Sequence, residues 1–180
     1  NFNLEMAEWT ITLPSFDGMV FNSLQVVDGF DVHPISQVEK PQYFAVGNSI
    51  THGVGQNNAG HLTYPFLIAD SLGFELHNLG IGGSRISNQI LVNLDGRTAD
   101  VITVLWGYND VNSRIDLDDG PLTAYEELMD SLCTSQPQAN IYAILPTPTN
   151  TTIGGNNPTY NDNTIEQLRN KQESILKPLR

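Results

Sequence analysis

The stretch QYFAVGNSITHGVG, residues 42–55, passes from an apolar run into a series of small and polar residues. The apolar part is typical of a buried strand, and the Gly-Asn-Ser that follows is typical of a turn into a helix. A serine at the tip of such a turn is held away from the core, with backbone N–H groups around it and a glycine that allows close approach. The stretch therefore predicts a strand–turn–helix unit that presents the hydroxyl of Ser49.

Short apolar runs alternate with amphipathic stretches along the rest of the chain. The predicted strands are YFAV (43–46), FELHNL (74–79), DVITVLW (100–106) and NIYAIL (140–145), and the predicted helices are LTYPFLIADSL (62–72), SRISNQILVNL (84–94), PLTAYEELMDSLC (121–133) and NTIEQLRNKQESIL (163–176). Strands that are apolar throughout are typical of a parallel sheet covered by helices on both faces. The sequence predicts an α/β fold, a three-layer α/β/α arrangement with a parallel, flavodoxin-like sheet.

Three of the predicted strands end in polar or glycine-rich segments, at 47–49, 80–83 and 107–110. Right-handed crossovers place every loop that follows a parallel strand at the same edge of the sheet. Ligands bind at that edge in open α/β sheets. We therefore expect these three segments to share one rim.

The first part of the chain has a different pattern. WTITL (9–13) and VFNSLQVVD (20–28) have strand composition and are separated by the turn signal PSFDG, which predicts strands of an antiparallel sheet. A linker with two prolines, residues 31–42, follows. We place a boundary near Glu39, with residues 1–38 as the C-terminal part of an accessory β-sandwich domain and residues 39–180 as the main domain, whose C-terminal end we expect to be incomplete.

Composition excludes several classes of function. Eight Lys and Arg against 20 Asp and Glu give a formal charge of −12, which would repel a phosphate backbone, so nucleic acid is not an expected partner. The single cysteine, Cys133, cannot form an intrachain disulfide or a Cys-based zinc site. No run of 18 apolar residues predicts a membrane span, and the low lysine content favours a secreted or periplasmic protein. The sequence makes no prediction about oligomeric state.

The residues at the three strand ends fit the chemistry of acyl transfer. Ser49 is placed as a nucleophile, the glycines at 80–83 can aim backbone N–H groups at an oxyanion, and Asn109 can add an amide donor. Each feature alone has a simpler explanation, since serine caps helices, glycine permits close packing and Asn-Asp forms Asx turns. Their joint occurrence at three strand ends favours the catalytic interpretation.

These blocks resemble the SGNH or GDSL hydrolases. VGNSITHG is similar to the family's first block, with Asn48 in place of the usual Asp, NLGIGGSRI is similar to the second, and GYND matches the Gly-x-Asn-Asp of the third. The resemblance covers residues 42 to about 150. It implies a serine esterase with Ser49 as nucleophile and with Gly83 and Asn109 as oxyanion donors, and it implies no cofactor and no metal. Together with the accessory β-segment, it implies a small or carbohydrate ester as substrate, such as a sugar O-acetate.

The general base is the point of departure from this family. The resemblance implies a histidine in an Asp-x-x-His motif, and no such motif occurs after Tyr160. The four histidines, His33, His52, His61 and His77, all lie in the first half of the chain. We expect the base beyond Arg180, His52 or His61 as less favoured bases near the pocket, His77 in the core and His33 exposed.

Other functions remain as alternatives. A non-catalytic module could use the same rim to hold a sugar or a small acid. GIGGSR partly matches the dinucleotide motif G-x-G-x-x-G, but Arg85 occupies the position of the third glycine. DLDDG (116–120) lacks the spacing of an EF-hand calcium loop, which favours a solvated acidic loop.

Overall fold

The structure is a computed structural model, and it describes residues 10–14, 20–29, 31–33, 38–57, 59–94, 96–112, 120–147 and 165–176. The described residues contain a parallel sheet of four strands in the order β2-β1-β3-β4. The strands are β1 (Gln42–Gly47), β2 (Glu75–Gly80), β3 (Val101–Leu105) and β4 (Asn140–Ala143). The helices are α1 (Ser49–His52), α2 (Tyr64–Leu72), α3 (Tyr108–Asn112), α4 (Pro121–Ser135) and α5 (Ile165–Leu176), with 3-10 helices at Gly60–Leu62 and Asn88–Leu94.

Helix α2 begins at Tyr64, later than the predicted start at residue 62, and ends at Leu72 as predicted. The Thr63 hydroxyl accepts a hydrogen bond from the backbone N–H of Phe66 at 3.4 Å, and Pro65 lies in the first turn. Gly73 ends the helix with φ +72°, a conformation that glycine adopts at little cost. Polar and glycine residues thus fix the length of α2 and so the position at which β2 begins.

Alternation along the central strands divides the core into two layers. Tyr43 and Ala45 of β1 face α2 and pack with its Ala69. Phe44 and Val46 face the other way and belong to a larger cluster with residues of β3, α4 and the 3-10 helix Asn88–Leu94. Because both faces are covered, the apolar side chains of β1 are removed from water on both sides, which is the main stabilisation of such a sheet. The predicted three-layer α/β/α class is confirmed.

The helix predicted at 84–94 is wrong in detail. Residues 84–94 do not form an α-helix, because the structure has a 3-10 helix only at Asn88–Leu94. Ile90, Leu91 and Leu94 reach the core from this shorter element, and over seven residues their spacing is compatible with either helix type.

The described residues at 10–13 and 20–28 are not in strands, although strand pairing was predicted. Their apolar side chains are exposed, including Val20, Phe21, Leu24 and Val27. Two isolated strands do not bury enough apolar surface to hold a sheet together, so composition alone does not produce the pairing. The segments 113–119 and 148–164 lie outside the described residues. In the described part of the chain, no helix combines the length and apolarity that crossing a membrane requires.

Candidate active site

The ends of β1, β2 and β3 lie side by side. In the strand register Gly47 is opposite Gly80 on one side and opposite Leu105 on the other. The segments beginning at 47, 80 and 106 therefore leave the sheet from the same edge, which we call the carboxyl edge. This confirms the predicted common rim.

Ser49 is the first residue of α1 and is half-buried. The residue before it, Asn48, is 1% exposed, and its Oδ1 accepts a hydrogen bond from the N–H of Ile50 at 3.0 Å. Asn48 therefore takes the helix-capping position, and a carboxamide serves this purpose as well as the usual Asp of the first block. A side chain on Gly47 would place Cβ 2.1 Å from Thr51 Oγ1, so glycine is required for the close turn.

Helix α1 is fixed to β2 by polar contacts that the sequence did not predict. Asn78 Nδ2 donates to the Thr51 carbonyl at 2.8 Å, and Asn78 Oδ1 accepts from Gly80 N at 2.9 Å. The Thr51 hydroxyl bonds the hydroxyl of Tyr64 at 3.0 Å, and burial raises the pKa of Tyr64. A protonated Tyr64 can donate as well as accept, so this contact holds Thr51 at neutral pH. The helix that begins at Ser49 is thus held by both β2 and α2.

The second loop begins with a backbone bond to β1, from Ile81 N to Gly47 O at 3.0 Å. Gly83 lies in this loop, exposed, with φ +75°. A Cβ on Gly83 would meet no atom within 4 Å, so glycine is favoured here by the backbone conformation and not by packing. The residue assigned an oxyanion role therefore faces open space at the rim.

The third loop is bonded to the second through Ser84. Asn109 Nδ2 donates to the Ser84 carbonyl at 2.8 Å, and Trp106 Nε1 donates to the same oxygen at 3.3 Å. Both carboxylate oxygens of Asp110 accept from Ile86 N at 3.3 Å. The structure therefore joins the loop of Gly83 to the loop of Asn109, and it joins both to the end of β1.

Asp110 is 2% exposed, although the sequence analysis assigned it no role. Burial raises the pKa of its carboxyl group, and the hydrogen bond from Ile86 and the charge of Arg85 act in the opposite direction. A buried carboxylate bonded to a backbone N–H is expensive to remove, because the N–H would lose its acceptor. The position of Asp110 in the GYND block is the sequence feature that could have indicated its role.

The histidines occupy four different environments. His52 ends α1, half-buried, three residues after Ser49, whereas His33 and His61 are exposed. His61 lies in the 3-10 helix before α2. His77 is half-buried in β2, where Nε2 bonds Gln42 Oε1 at 2.7 Å and the ring packs edge-on against Phe44.

His77 was expected in the core, but β2 is an outermost strand of the sheet, so its side chains are partly exposed. Burial lowers the pKa of His77. Since a strand rises about 3.3 Å per residue, His77 lies about 10 Å from the end of β2. Within the described ranges, no group of three His, Cys, Asp or Glu side chains is placed to hold a metal ion.

A comparison with known protein families places the chain in one of them. The family model for the GDSL-like Lipase/Acylhydrolase family matches residues 45–178. The chain belongs to this family. Membership supports an ester-hydrolysing activity in general terms, and the matched range includes all three strand-end loops.

Several solved structures are similar to this chain in fold. A protein from Lactobacillus plantarum is 22% identical, with a TM-score of 0.58 over 79% of this chain and 74% of the other. A family two carbohydrate esterase from Clostridium thermocellum, solved in complex with cellohexaose, is 15% identical with a TM-score of 0.61 over 79% of this chain and 51% of that one.

A carbohydrate esterase family 2 enzyme plus carbohydrate binding domain, from Corynascus thermopiles (Myceliophthora fergusii), is 16% identical with a TM-score of 0.63 over 82% and 56% of the two chains. The GDSL-like chain thus spans about half the length of both carbohydrate esterases. At these identities the likeness shows the fold alone. A search of curated proteins found no match to the chain.

Proposed function

We propose that the carboxyl edge is the active site of a serine ester hydrolase in which Ser49 is the nucleophile. The observation that supports this most is the joining of three loops: Ile81 N bonds Gly47 O, and Asn109 Nδ2 bonds the carbonyl of Ser84. A nucleophile and oxyanion donors must be held together before substrate arrives, because donors that are already oriented stabilise the developing charge most effectively.

In the proposed reaction the Ser49 oxygen attacks the ester carbonyl carbon and its proton passes to a base. The carbonyl oxygen becomes an oxyanion that accepts hydrogen bonds from the N–H groups of Ser49 and Gly83 and from the amide of Asn109. A primary amide nitrogen has two hydrogens, so the contact of Asn109 with Ser84 is compatible with a second donation to substrate. The alcohol leaves with a proton, and water then releases the acid from Ser49.

Proton removal from Ser49 requires a base, and we assign it to an Asp-x-x-His histidine expected beyond Arg180. Of the histidines in this chain, His52 shares α1 with the nucleophile. If the assignment is correct, His52→Gln in the full-length gene product keeps its hydrolytic rate within about a factor of ten. A loss as large as that of Ser49→Ala would make His52 the base.

We propose that the substrates are short acyl esters of carbohydrates, such as sugar O-acetates. Two proteins of the same fold are carbohydrate esterases, and one was solved with cellohexaose bound. The formal charge of −12 disfavours anionic substrates. Acetate release from acetylated xylan or acetylated cello-oligosaccharides, compared with hydrolysis of a long-chain p-nitrophenyl ester, tests this assignment. A preference for the long-chain ester would contradict it.

The decisive experiment is p-nitrophenyl acetate hydrolysis by the full-length gene product and by its Ser49→Ala variant. We expect kcat to fall by about 10⁴-fold or more, since without the hydroxyl no acyl-enzyme can form. Ser71→Ala, an exposed serine of α2, is the matched control and should keep full activity. An unchanged rate in Ser49→Ala would remove the nucleophile assignment.

A binding module that uses the same rim is the second candidate. A full-length gene product without any Asp-x-x-His motif would favour it. This candidate predicts binding of acetylated cello-oligosaccharides without acetate release, measured by calorimetry. It also predicts that Ser49→Ala does not change the affinity by a large factor.

A further inference from the structure

Gln172 of α5 reaches the end of β3. The side chain is 1% exposed, and Nε2 donates to the carbonyl oxygen of Trp106 at 3.0 Å. This carbonyl belongs to the residue directly after β3. The next carbonyl, that of Gly107, accepts from the N–H groups of Asp110 and Val111 in the first turn of α3. The carbonyl of Trp106 therefore receives its donor from a different helix.

The turn between β3 and α3 is shaped to fit α5. Gly107 has φ +112°, and a Cβ at this position would lie 2.6 Å from Leu168 Cδ2 and 3.2 Å from Gln172 Nε2. Glycine is thus required both by the backbone conformation and by the close approach of α5. As a result, the hydrogen bond from Gln172 and the packing of Leu168 act on the same peptide unit.

The same turn holds two of the donors that organise the rim. The indole of Trp106 and the amide of Asn109 both donate to Ser84 O, at 3.3 and 2.8 Å. Ser84 directly follows Gly83. A rotation of the turn at residues 106–107 would therefore move the Asn109 amide and release the carbonyl that anchors the second loop.

We propose that Gln172 is a positioning residue for the oxyanion donors. Its bond to Trp106 O fixes the turn from which Trp106 and Asn109 reach Ser84, and this sets the direction of the Asn109 amide and the place of the Gly83 loop. The inference rests on the proposed esterase function. It adds a residue from α5, outside the three blocks that carry the family resemblance.

The chain supplies a matched control in Gln136. This glutamine is also buried, 7% exposed, and it also bonds main-chain atoms beside β3: Nε2 donates to Arg97 O at 2.9 Å, and Oε1 accepts from Ala99 N at 3.0 Å. It acts at the opposite end of the strand, away from the rim. Gln172 and Gln136 therefore differ in where they act, and Gln136 makes two such bonds whereas among the described residues only Nε2 of Gln172 is bonded.

The experiment compares Gln172→Met with Gln136→Met in the full-length gene product, because methionine keeps the shape and removes the hydrogen bonds. We expect Gln172→Met to lower kcat for p-nitrophenyl acetate by about 10-fold with KM within about twofold, since a misplaced group affects the transition state more than the bound substrate. Gln136→Met removes two hydrogen bonds, so it should lower Tm at least as much, and it should leave kcat within about twofold. Equal kcat values in the two variants would overturn the proposal.

Gln172→Glu gives a readout that a purely structural role would not produce. A carboxylate cannot donate to Trp106 O, whereas a protonated carboxyl group can. We therefore expect the ratio of kcat in Gln172→Glu to kcat in the unmodified protein to rise as pH is lowered. A ratio that is independent of pH would contradict the role of the donated bond.

A measurement that does not depend on activity separates this inference from the esterase proposal. The chain has two tryptophans, Trp9 and Trp106, and loss of one indole N–H signal in Trp106→Phe assigns the NMR spectrum. Hydrogen exchange of the Trp106 indole should be faster in Gln172→Met and unchanged in Gln136→Met. Unchanged exchange in Gln172→Met would overturn the link to the turn. Suppose that Ser49→Ala retains activity while Gln172→Met still speeds exchange of the Trp106 indole. The esterase proposal and the role of Gln172 in orienting Asn109 would then be wrong, and the contact between Gln172 and the turn at 106–107 would still hold.

Discussion

The two edges of the sheet use similar hydrogen bonds for different purposes. At the amino edge, where the strands begin, Gln42 Nε2 bonds Glu75 at 3.1 Å and its backbone N–H bonds the Asp100 carboxylate at 2.7 Å, and all of these groups are partly or largely exposed. At the carboxyl edge Asn48 and Asp110 are almost completely buried. Water can replace a lost partner at the amino edge but not at Asn48 or Asp110, so these two side chains must keep their protein partners.

Glycines show the same contrast and give the largest expected effect. A Cβ on Gly80 at the carboxyl edge would lie 2.3 Å from the backbone nitrogen of His52, whereas a Cβ on Gly96, before β3, meets nothing within 4 Å. We expect Gly80→Ala to lower the free energy of unfolding by about 3 kcal/mol, because main chain must move. Gly96→Ala should cost about 1 kcal/mol, from its positive φ of +71° alone. Urea unfolding of both variants measures the difference, and equal losses would remove the contrast.

Two carboxamides provide the second comparison. Asn109→Ala should lower kcat by about 10²-fold with little change in KM, because the amide acts mainly on the charge that develops in the transition state. Gln42→Ala removes a carboxamide at the amino edge and should leave kcat within about twofold. Steady-state hydrolysis of p-nitrophenyl acetate decides this. A rise in KM alone for Asn109→Ala would favour the binding-module candidate.

We expect a smaller effect on stability from the carboxyl group of Asp110, and this effect should depend on pH. Burial raises its pKa, so the folded state holds the proton more tightly than the unfolded state. Stability is therefore lost as pH rises from the ordinary Asp value of about 3.9 through the raised folded value. Asp110→Asn does not titrate and keeps an acceptor for Ile86 N, so its Tm relative to the unmodified protein should increase with pH over this window.

Asp110→Ala is the control for this prediction. It leaves the Ile86 N–H without its acceptor, at a cost of about 1–3 kcal/mol, and its Tm should be lower at every pH. If Asp110→Asn were as unstable as Asp110→Ala at neutral pH, the carboxylate charge and not its acceptor geometry would hold the loop.

We expect the smallest effect on stability from His77 of β2, which is bonded to Gln42 near the amino edge. Its pH dependence should be opposite to that of Asp110. Burial lowers the pKa of His77, opposed by the charge of Glu75, so the unfolded state binds the proton more tightly. Stability is then lost as pH falls from about 6.5, the ordinary histidine value, through the lower folded value. His77→Gln should lose less Tm than the unmodified protein between pH 7 and pH 5, measured by thermal unfolding. Equal losses would show that His77 does not contribute.

The sequence predicted the parts of this molecule that depend on local pattern. Apolar runs located the four strands found among the described residues, and the residues following three of them located the rim, because parallel strands place their ends together. The bonds of Ser84 O and Trp106 O could not be predicted. They join side chains to main-chain atoms whose direction depends on packing, and the partner of Trp106 is 66 residues away. The strand prediction at 20–28 was wrong for a related reason, since strand composition without a partner strand does not specify pairing.

The bond between Gln172 and Trp106 also has a consequence for the order of events during translation. A ribosome completes β1, β2 and β3 long before it adds α5, so the sheet can collapse around its apolar faces while the last turn of the rim still lacks its donor. Contacts between distant positions form late because closing a long loop costs entropy. A nascent chain can therefore contain the folded sheet and Ser49 and still have an unfinished rim until α5 docks.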